Sequence, residues 1–239
     1  MIINVIATGS SGNLYELIDK WGNSMLIEAG KPRSEYMKHK ISNQAPEMCI
    51  VSHNHMDHAH FVGEFKAMIP VYVSQRKNTS TNWKAIGFEV NHGEGKSTAF
   101  IIKSLVEEKF LFFGTDFEFS KDYTELYESL KYLKVENYLI ECNYNNCLIH
   151  CDDVTDEMRK QCKRHLSDDN LIKFMKIVRH GNPKIITIHG SNRLSANTYT
   201  KKYIDAKLLE CGINAKVAIS IGQKNGVKNL FTIDRKSVV

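Results

Sequence analysis

Four side chains able to bind a divalent metal lie within one short stretch, Val51-Ser52-His53-Asn54-His55-Met56-Asp57-His58. Neutral imidazole and carboxylate together suit zinc, manganese or iron at sites that do chemistry. The spacing helps. In an extended chain residues 53, 55 and 57 point to one side, and in a tight loop all four side chains converge. With ten histidines in the chain some clustering is expected by chance, but an H-x-H-x-D-H order directly after an apolar run is not. Three further residues follow apolar runs in the same manner. His92 follows Gly87-Phe88-Glu89-Val90-Asn91, Asp116 follows Phe110-Leu111-Phe112-Phe113-Gly114-Thr115, and His189 follows Lys184-Ile185-Ile186-Thr187-Ile188. Each alone reads as an ordinary polar residue at a strand end.

The elements that must carry these residues alternate along the chain. Strands are expected at 2–7, 14–19 and 24–28, separated by turn signals at Gly9-Ser10-Ser11-Gly12-Asn13 and Trp21-Gly22-Asn23. A helix at 34–40, a buried strand at 47–51, a helix at 60–68 and a strand at 71–73 come next, then strands at 85–91, 98–103 and 110–113. The second part reads as a helix at 123–133, a strand at 137–141, helices at 153–163 and 167–178, a strand at 184–188, a helix at 195–209 and strands at 216–219 and 229–234. Two strand-rich halves with helices between them make an α/β protein, with two mixed sheets packed face to face and helices outside. No repeat, low-complexity tract or Pro/Gly-rich linker interrupts it, so one continuous domain over 1–239 is expected.

Composition excludes several classes. Hydrophobic residues at 42% and charged residues at 25% are those of a soluble globular chain. No apolar run approaches the roughly 20 residues that span a bilayer, and Met1-Ile2-Ile3-Asn4-Val5 lacks the basic start of a secretion signal. Six cysteines at irregular positions point to reduced thiols and a cytoplasmic location. A net charge of +5 permits a polyanionic partner without requiring one.

The H-x-H-x-D-H segment with His92, Asp116 and His189 in order resembles the signature of the metallo-β-lactamase superfamily, over nearly the whole chain. The resemblance implies a four-layer αββα sandwich and a hydrolase with two divalent ions, zinc or manganese, with iron also compatible. It implies that His53, His55 and His92 hold one ion and that Asp57, His58 and His189 hold the other, with Asp116 bridging. Two adjacent cations would lower the pKa of a water towards neutrality and take up charge on the oxygens of the transition state. Asp57 and Asp116 then count as catalytic as well as ligating residues.

Further motifs resemble one branch, the small bacterial DNA exonucleases of the YycJ/WalJ type. Ala7-Thr8-Gly9-Ser10-Ser11-Gly12-Asn13 is similar to their A-x-G-S-S-G-N opening, Leu139-Ile140-Glu141-Cys142-Asn143 to their L-x-E-x-N strand end, and Arg164-His165-Leu166-Ser167 to their G-H-L-S segment. This implies a catalytic role for His165 and substrate contacts for Ser10, Ser11, Asn13, Asn143 and Ser167. Plainer readings stand beside these. Gly9–Gly12 also suits a hairpin turn, Ser167 a helix N-cap, and Glu141 and Asn143 residues that orient metal ligands. Arg164 replaces the family's glycine, and Gly190-Ser191-Asn192 follows the last histidine where the family has Leu-Ser. The spacing Cys142-x4-Cys147-x2-His150-Cys151 fits a structural zinc site poorly. Lys160, Lys163, Arg164, Arg179, Lys201 and Lys202 suit either a cationic rim for nucleic acid or a solvated surface.

The function expected is therefore a phosphodiesterase on nucleic acid, DNA before RNA, and most simply an exonuclease. Its rivals are a hydrolase of a small phosphodiester such as a cyclic nucleotide, a thioester or lactone hydrolase, and a non-catalytic binding module. No membrane partner is expected, and the oligomeric state stays open, a homodimer included.

Overall fold

Short apolar runs become strands wherever turn residues close them off, and their burial follows from how many faces are covered. In a computed structural model the described residues are 1–191, 194, 197–220 and 229–233. In chain order the elements are β1 (Ile2–Ala7), β2 (Leu14–Ile18), β3 (Ser24–Ile27), α1 (Arg33–His39), β4 (Pro46–Val51), α2 (Met56–Ala59), α3 (Val62–Lys66), β5 (Val71–Val73), β6 (Lys77–Thr79), β7 (Trp83–His92), β8 (Gly95–Ser104) and β9 (Lys109–Gly114). They continue as α4 (Thr124–Tyr132), β10 (Asn137–Glu141), α5 (Asp156–Cys162), α6 (Asp168–Val178), β11 (Lys184–Ile188), α7 (Asn197–Glu210), β12 (Lys216–Ile219) and β13 (Asn229–Thr232).

Packing groups these elements into two compact units. One comprises Met1–Gly87, Ile102–Lys109 and the described part of the C-terminal stretch, and the other Phe88–Ile101 and Phe110–Ser220. The first contains a six-stranded sheet in the order β13-β1-β2-β3-β4-β5. Strand β1 pairs antiparallel with β2 and β13, whereas β3, β4 and β5 run parallel, with Ile27 opposite Ile50 and Val51 opposite Val73. The second sheet has the order β12-β11-β10-β9-β8-β7-β6. Its strands β9 to β12 are parallel, with Glu141 opposite Ile188 and Ile140 opposite Gly114. These strands read as nearly continuous apolar runs because both faces of a parallel sheet are covered. In α6 the buried Leu171, Ile172, Phe174, Met175 and Val178 recur at helical spacing. Phe174 stacks on Phe112 at 5.3 Å and meets Phe117, Tyr127 and Tyr138 edge-on, each aromatic pair adding about 0.5–1.5 kcal/mol beyond its buried area.

Most expected elements appear within a residue or two of their expected ends, with four differences, of which one is the strand expected from 98, which begins at Gly95. The helix expected at 60–68 is two short helices, and the first starts at Met56, so Asp57 and His58 are helical. A short edge strand, β6, was not expected, because Lys77-Asn78-Thr79 buries only Asn78 and shows no apolar alternation. The helix expected from 153 begins at Asp156, where the Thr155 side chain accepts a hydrogen bond from the Met158 N–H at 3.2 Å. The ends expected at 195 and 234 lie outside the described residues.

Candidate metal centre

Most of the chemistry-bearing residues follow the C-terminal ends of parallel strands, where backbone leaving a sheet exposes side chains in open α/β folds, whereas His92 ends the antiparallel β7 and His165 lies between α5 and α6. Several of these ends are strained. Glu28 after β3, Ser74 after β5, Asp116 after β9 and His189 after β11 have φ of 65°, 51°, 49° and 54°. A non-glycine residue in the left-handed region costs about 1–2 kcal/mol, and such strain collects where side chains must be aimed for function.

In the first unit, β4 ends at Val51 and the chain turns sharply before α2. The His58 and Ala59 N–H groups both donate to the His55 carbonyl, at 3.0 and 2.8 Å. Turning here gathers the imidazoles, with the His53 ring centroid 4.3 Å from His55 and 4.5 Å from His58. Two neighbouring loops hold the turn in place. The Asn13 N–H donates to the Asp57 carbonyl at 2.7 Å and the Ala29 N–H to the His58 carbonyl at 2.7 Å. Gly30 makes this approach feasible, since a Cβ there would lie 1.8 Å from the Asp57 carbonyl oxygen. Beneath the turn, the buried Glu28 carboxylate accepts from the Ser52 N–H at 3.3 Å through each oxygen, and lies 3.4 Å from His58 Nδ1. Ser52 Oγ lies 2.9 Å from His53 Nδ1, and Ser74 donates to the Ser52 carbonyl at 2.8 Å. His58 Nε2, on the other side of the ring, faces Asp57 Oδ2 at 3.3 Å.

In the second unit, Asp116, Glu141, His165 and His189 bring one ligand atom each to within 4.8 Å of one another. Asp116 Oδ1 and Glu141 Oε1 both lie 3.3 Å from His189 Nδ1. His165 Nδ1 is 2.6 Å from Glu141 Oε1, and since a carboxylate accepts, this nitrogen carries the proton. The other Glu141 oxygen accepts from the Phe117 and Leu166 N–H groups. Burial alone would push the Glu141 pKa up, but the charge and hydrogen bond of His165 and a hydrogen bond from His189 outweigh it and leave the pKa lowered. For His165 burial acts downward, and the attraction of Glu141 and Asp116 reverses it and raises the pKa. Both shifts favour a charged pair. His92 Nδ1 lies 3.0 Å from the Arg164 carbonyl oxygen, which can only accept, so the proton sits on Nδ1. That leaves the Nε2 lone pair, 3.4 Å from Asp116 Oδ2, available to a metal.

The donors therefore fit divalent cations. Buried carboxylates stand among imidazoles, and for His53, His58 and His92 a protein group engages Nδ1. Of the seven ligands expected from sequence, His53, His55, Asp57 and His58 gather in the first unit and His92, Asp116 and His189 in the second. Ser10 and Ser11 are exposed in their turn. Asn13, expected to touch substrate, is buried. Its side chain bridges Gly9 (N–H to Oδ1, 2.9 Å) and the Asp57 carbonyl (3.1 Å), with Nδ2 also 3.2 Å from His58 Nε2. Asn143 donates to the His189 carbonyl at 2.9 Å, and Ser167 caps α6 by accepting from the Asn170 N–H at 3.1 Å. His165 keeps 18% of its side chain exposed. Cys142 is buried, while Cys147 and Cys151 are exposed and all six cysteines are free thiols. Sequence reasoning missed Glu28, whose only signal was an acidic residue ending an apolar strand ahead of Ala29-Gly30, and it left Glu141's partner unassigned.

No family profile and no curated protein matches the sequence. Solved structures do. YhfI, a metallo-β-lactamase fold protein from Bacillus subtilis, is similar at a TM-score of 0.68 and 13% identity, over 96% of this chain and 98% of that one. The short form of human tRNase Z is similar at 0.63 and 11%, over 98% and 100%. A diphosphatase from the PhnP family is similar at 0.60 and 14%, over 97% and 98%. Among the described residues no helix is long and apolar enough to cross a membrane. The likeness to these structures over nearly the full length shows that the chain has the αββα metallo-β-lactamase fold.

Proposed function

We propose that the protein is a metal-dependent phosphodiesterase acting on nucleic acid, and specifically a DNA exonuclease similar to the YycJ/WalJ type. The observation that carries this reading is the Asp116–Glu141–His165–His189 cluster, in which the Glu141 carboxylate fixes His165 through Nδ1 beside metal donors. In this reading His53, His55, Asp57, His58, His92, Asp116 and His189 would hold two divalent ions, zinc or manganese with iron also compatible. When bound, such ions would supply positive charge for the scissile phosphate and lower the pKa of the attacking water.

The chain's own residues do the rest. Asp57 takes the proton that the attacking water loses. His165, fixed through Nδ1 by Glu141, delivers a proton from Nε2 to the leaving oxygen, a task worth about 10²–10⁴-fold in rate. Asn13, Asn143 and Glu28 are positioning residues that keep His58, His189 and the His53 turn in register. Ser10 and Ser11 remain as substrate-binding groups, because their exposed hydroxyls and loop N–H groups suit phosphate oxygens. A tRNase Z and a diphosphatase among the similar structures support chemistry at phosphorus.

Hydrolysis of 5′-labelled duplex DNA, single-stranded DNA, RNA and cyclic nucleotides by manganese- or zinc-loaded protein tests the proposal. Stepwise release of nucleotides from DNA ends is the expected result. Opened cyclic nucleotides with intact polymers would contradict it and move the assignment to a small-molecule phosphodiesterase.

A further inference from the structure

Six cations of the second unit stand out in the sequence as a rim, and the structure sorts them. Arg179 is occupied, with Nη1 donating to the Cys211 carbonyl at 2.7 Å, and Lys201 pairs with Asp205. Lys202 lies on α7, a different helix from the remaining three. Four other cations of this unit are paired locally: Arg159 with Asp156, Lys131 with Glu128, Lys207 with Glu210 and Lys96 with Glu89. Lys160, Lys163 and Arg164 are exposed and, among the described residues, form no ion pair. Lys160 lies in the last turn of α5, Lys163 caps that helix and Arg164 follows directly.

A helix C-terminus favours cations by itself, so placement there does not require a ligand. Two further features do not follow from the helix end. The Arg164 side chain lies directly across Gly93, where a Cβ would meet its Cδ at 2.9 Å and its Nε at 3.0 Å, so glycine at 93 provides the seat. The same arginine's carbonyl oxygen holds His92 Nδ1, and the next residue is His165. The end of α5 therefore runs from three unneutralised cations straight into a metal ligand's anchor and the proton donor.

We propose that Lys160, Lys163 and Arg164 form a ridge that binds successive phosphates of a single-stranded polynucleotide beside the scissile bond, so the substrate is a polymer end and not a mononucleotide. This rests on the phosphodiesterase reading above. Arg164, seated on Gly93, takes the phosphate next to the site, and Lys163 and Lys160 take those further along. A guanidinium suits the first position because its planar donors can grip two phosphate oxygens at once.

The test uses the full chain in its metal-free form, so that binding is read without turnover, with a fluorescent single-stranded oligodeoxynucleotide titrated at several salt concentrations. Each cation released from a single strand contributes about 0.7 to the slope of log affinity against log salt, so replacing all three by glutamine lowers the slope by about 2. The charge-keeping variant K160R/K163R/R164K restores the slope. With metal added, the glutamine variant loses at least about tenfold more kcat/KM on the oligonucleotide than on bis(p-nitrophenyl) phosphate. An unchanged slope overturns the ridge, as does a loss that the charge-keeping variant fails to restore. Hydrolysis of the small diester without oligonucleotide binding also refutes the ridge and leaves the metal chemistry standing. Salt-dependent binding with no diester hydrolysed by loaded protein refutes the phosphodiesterase reading instead.

Discussion

The two units carry their metal donors by opposite means. In the first, four donors lie within one turn of chain, and the structure's work is to hold that turn: Glu28 and Asn13 reach it from neighbouring loops, and Gly30 admits it at backbone contact. In the second, the donors come from positions as far apart as His92 and His189, each delivered by the end of a different element, and they are held by one another through Asp116 and Glu141. A local motif tolerates loss of a support, because the covalent chain still keeps the ligands close. A dispersed cluster depends on each shared carboxylate. Substitutions in the second unit should therefore cost more.

The largest effect is expected for Asp116→Ala. It removes the carboxylate shared by His92, His165 and His189, and activity should fall by about three orders of magnitude or more, with circular dichroism unchanged. Near-normal turnover would break the contrast. Next comes His165→Ala, for which kcat should drop by about 10²–10⁴-fold with metal content, counted by atomic emission, retained. A parallel loss of metal would make His165 a ligand instead of a proton donor. Smaller still, Glu28→Gln leaves His58 with a weaker partner at Nδ1. Loss of a partner of this kind lowers metal affinity by about 10–100-fold, and chelator competition reads this directly. Ser167→Ala is the smallest. Losing the cap of α6 should lower stability by about 1 kcal/mol with kcat/KM unchanged, and a fall in activity without a fall in stability would return Ser167 to substrate contact.

The contrast also explains what was legible beforehand. The H-x-H-x-D-H order stands out because its spacing is local, whereas His92, Asp116 and His189 are picked out by the residue order that the resemblance implies, each after an apolar strand. Strand positions were legible because burial makes apolar runs conspicuous, while Lys77–Thr79 was hidden by its polar residues. Glu28 carried little signal, since its role depends on Ser52 and His58 folding over it. Asn13 looked like a phosphate-loop residue, yet its amide closes the Gly9 turn and supports Asp57, because a buried amide must satisfy its own hydrogen bonds first. The strain at Glu28, Asp116 and His189 has no sequence signature in side chains that rarely adopt positive φ.

The proposal at the centre of this account is a metal pair held by the seven ligands that the resemblance implies. Electron paramagnetic resonance of the manganese-loaded chain tests it most directly. The account predicts two manganese ions per chain with an exchange-coupled spectrum, reduced to isolated ions in Asp116→Ala. A wild-type spectrum of isolated manganese, or a single ion per chain at saturation, would contradict it.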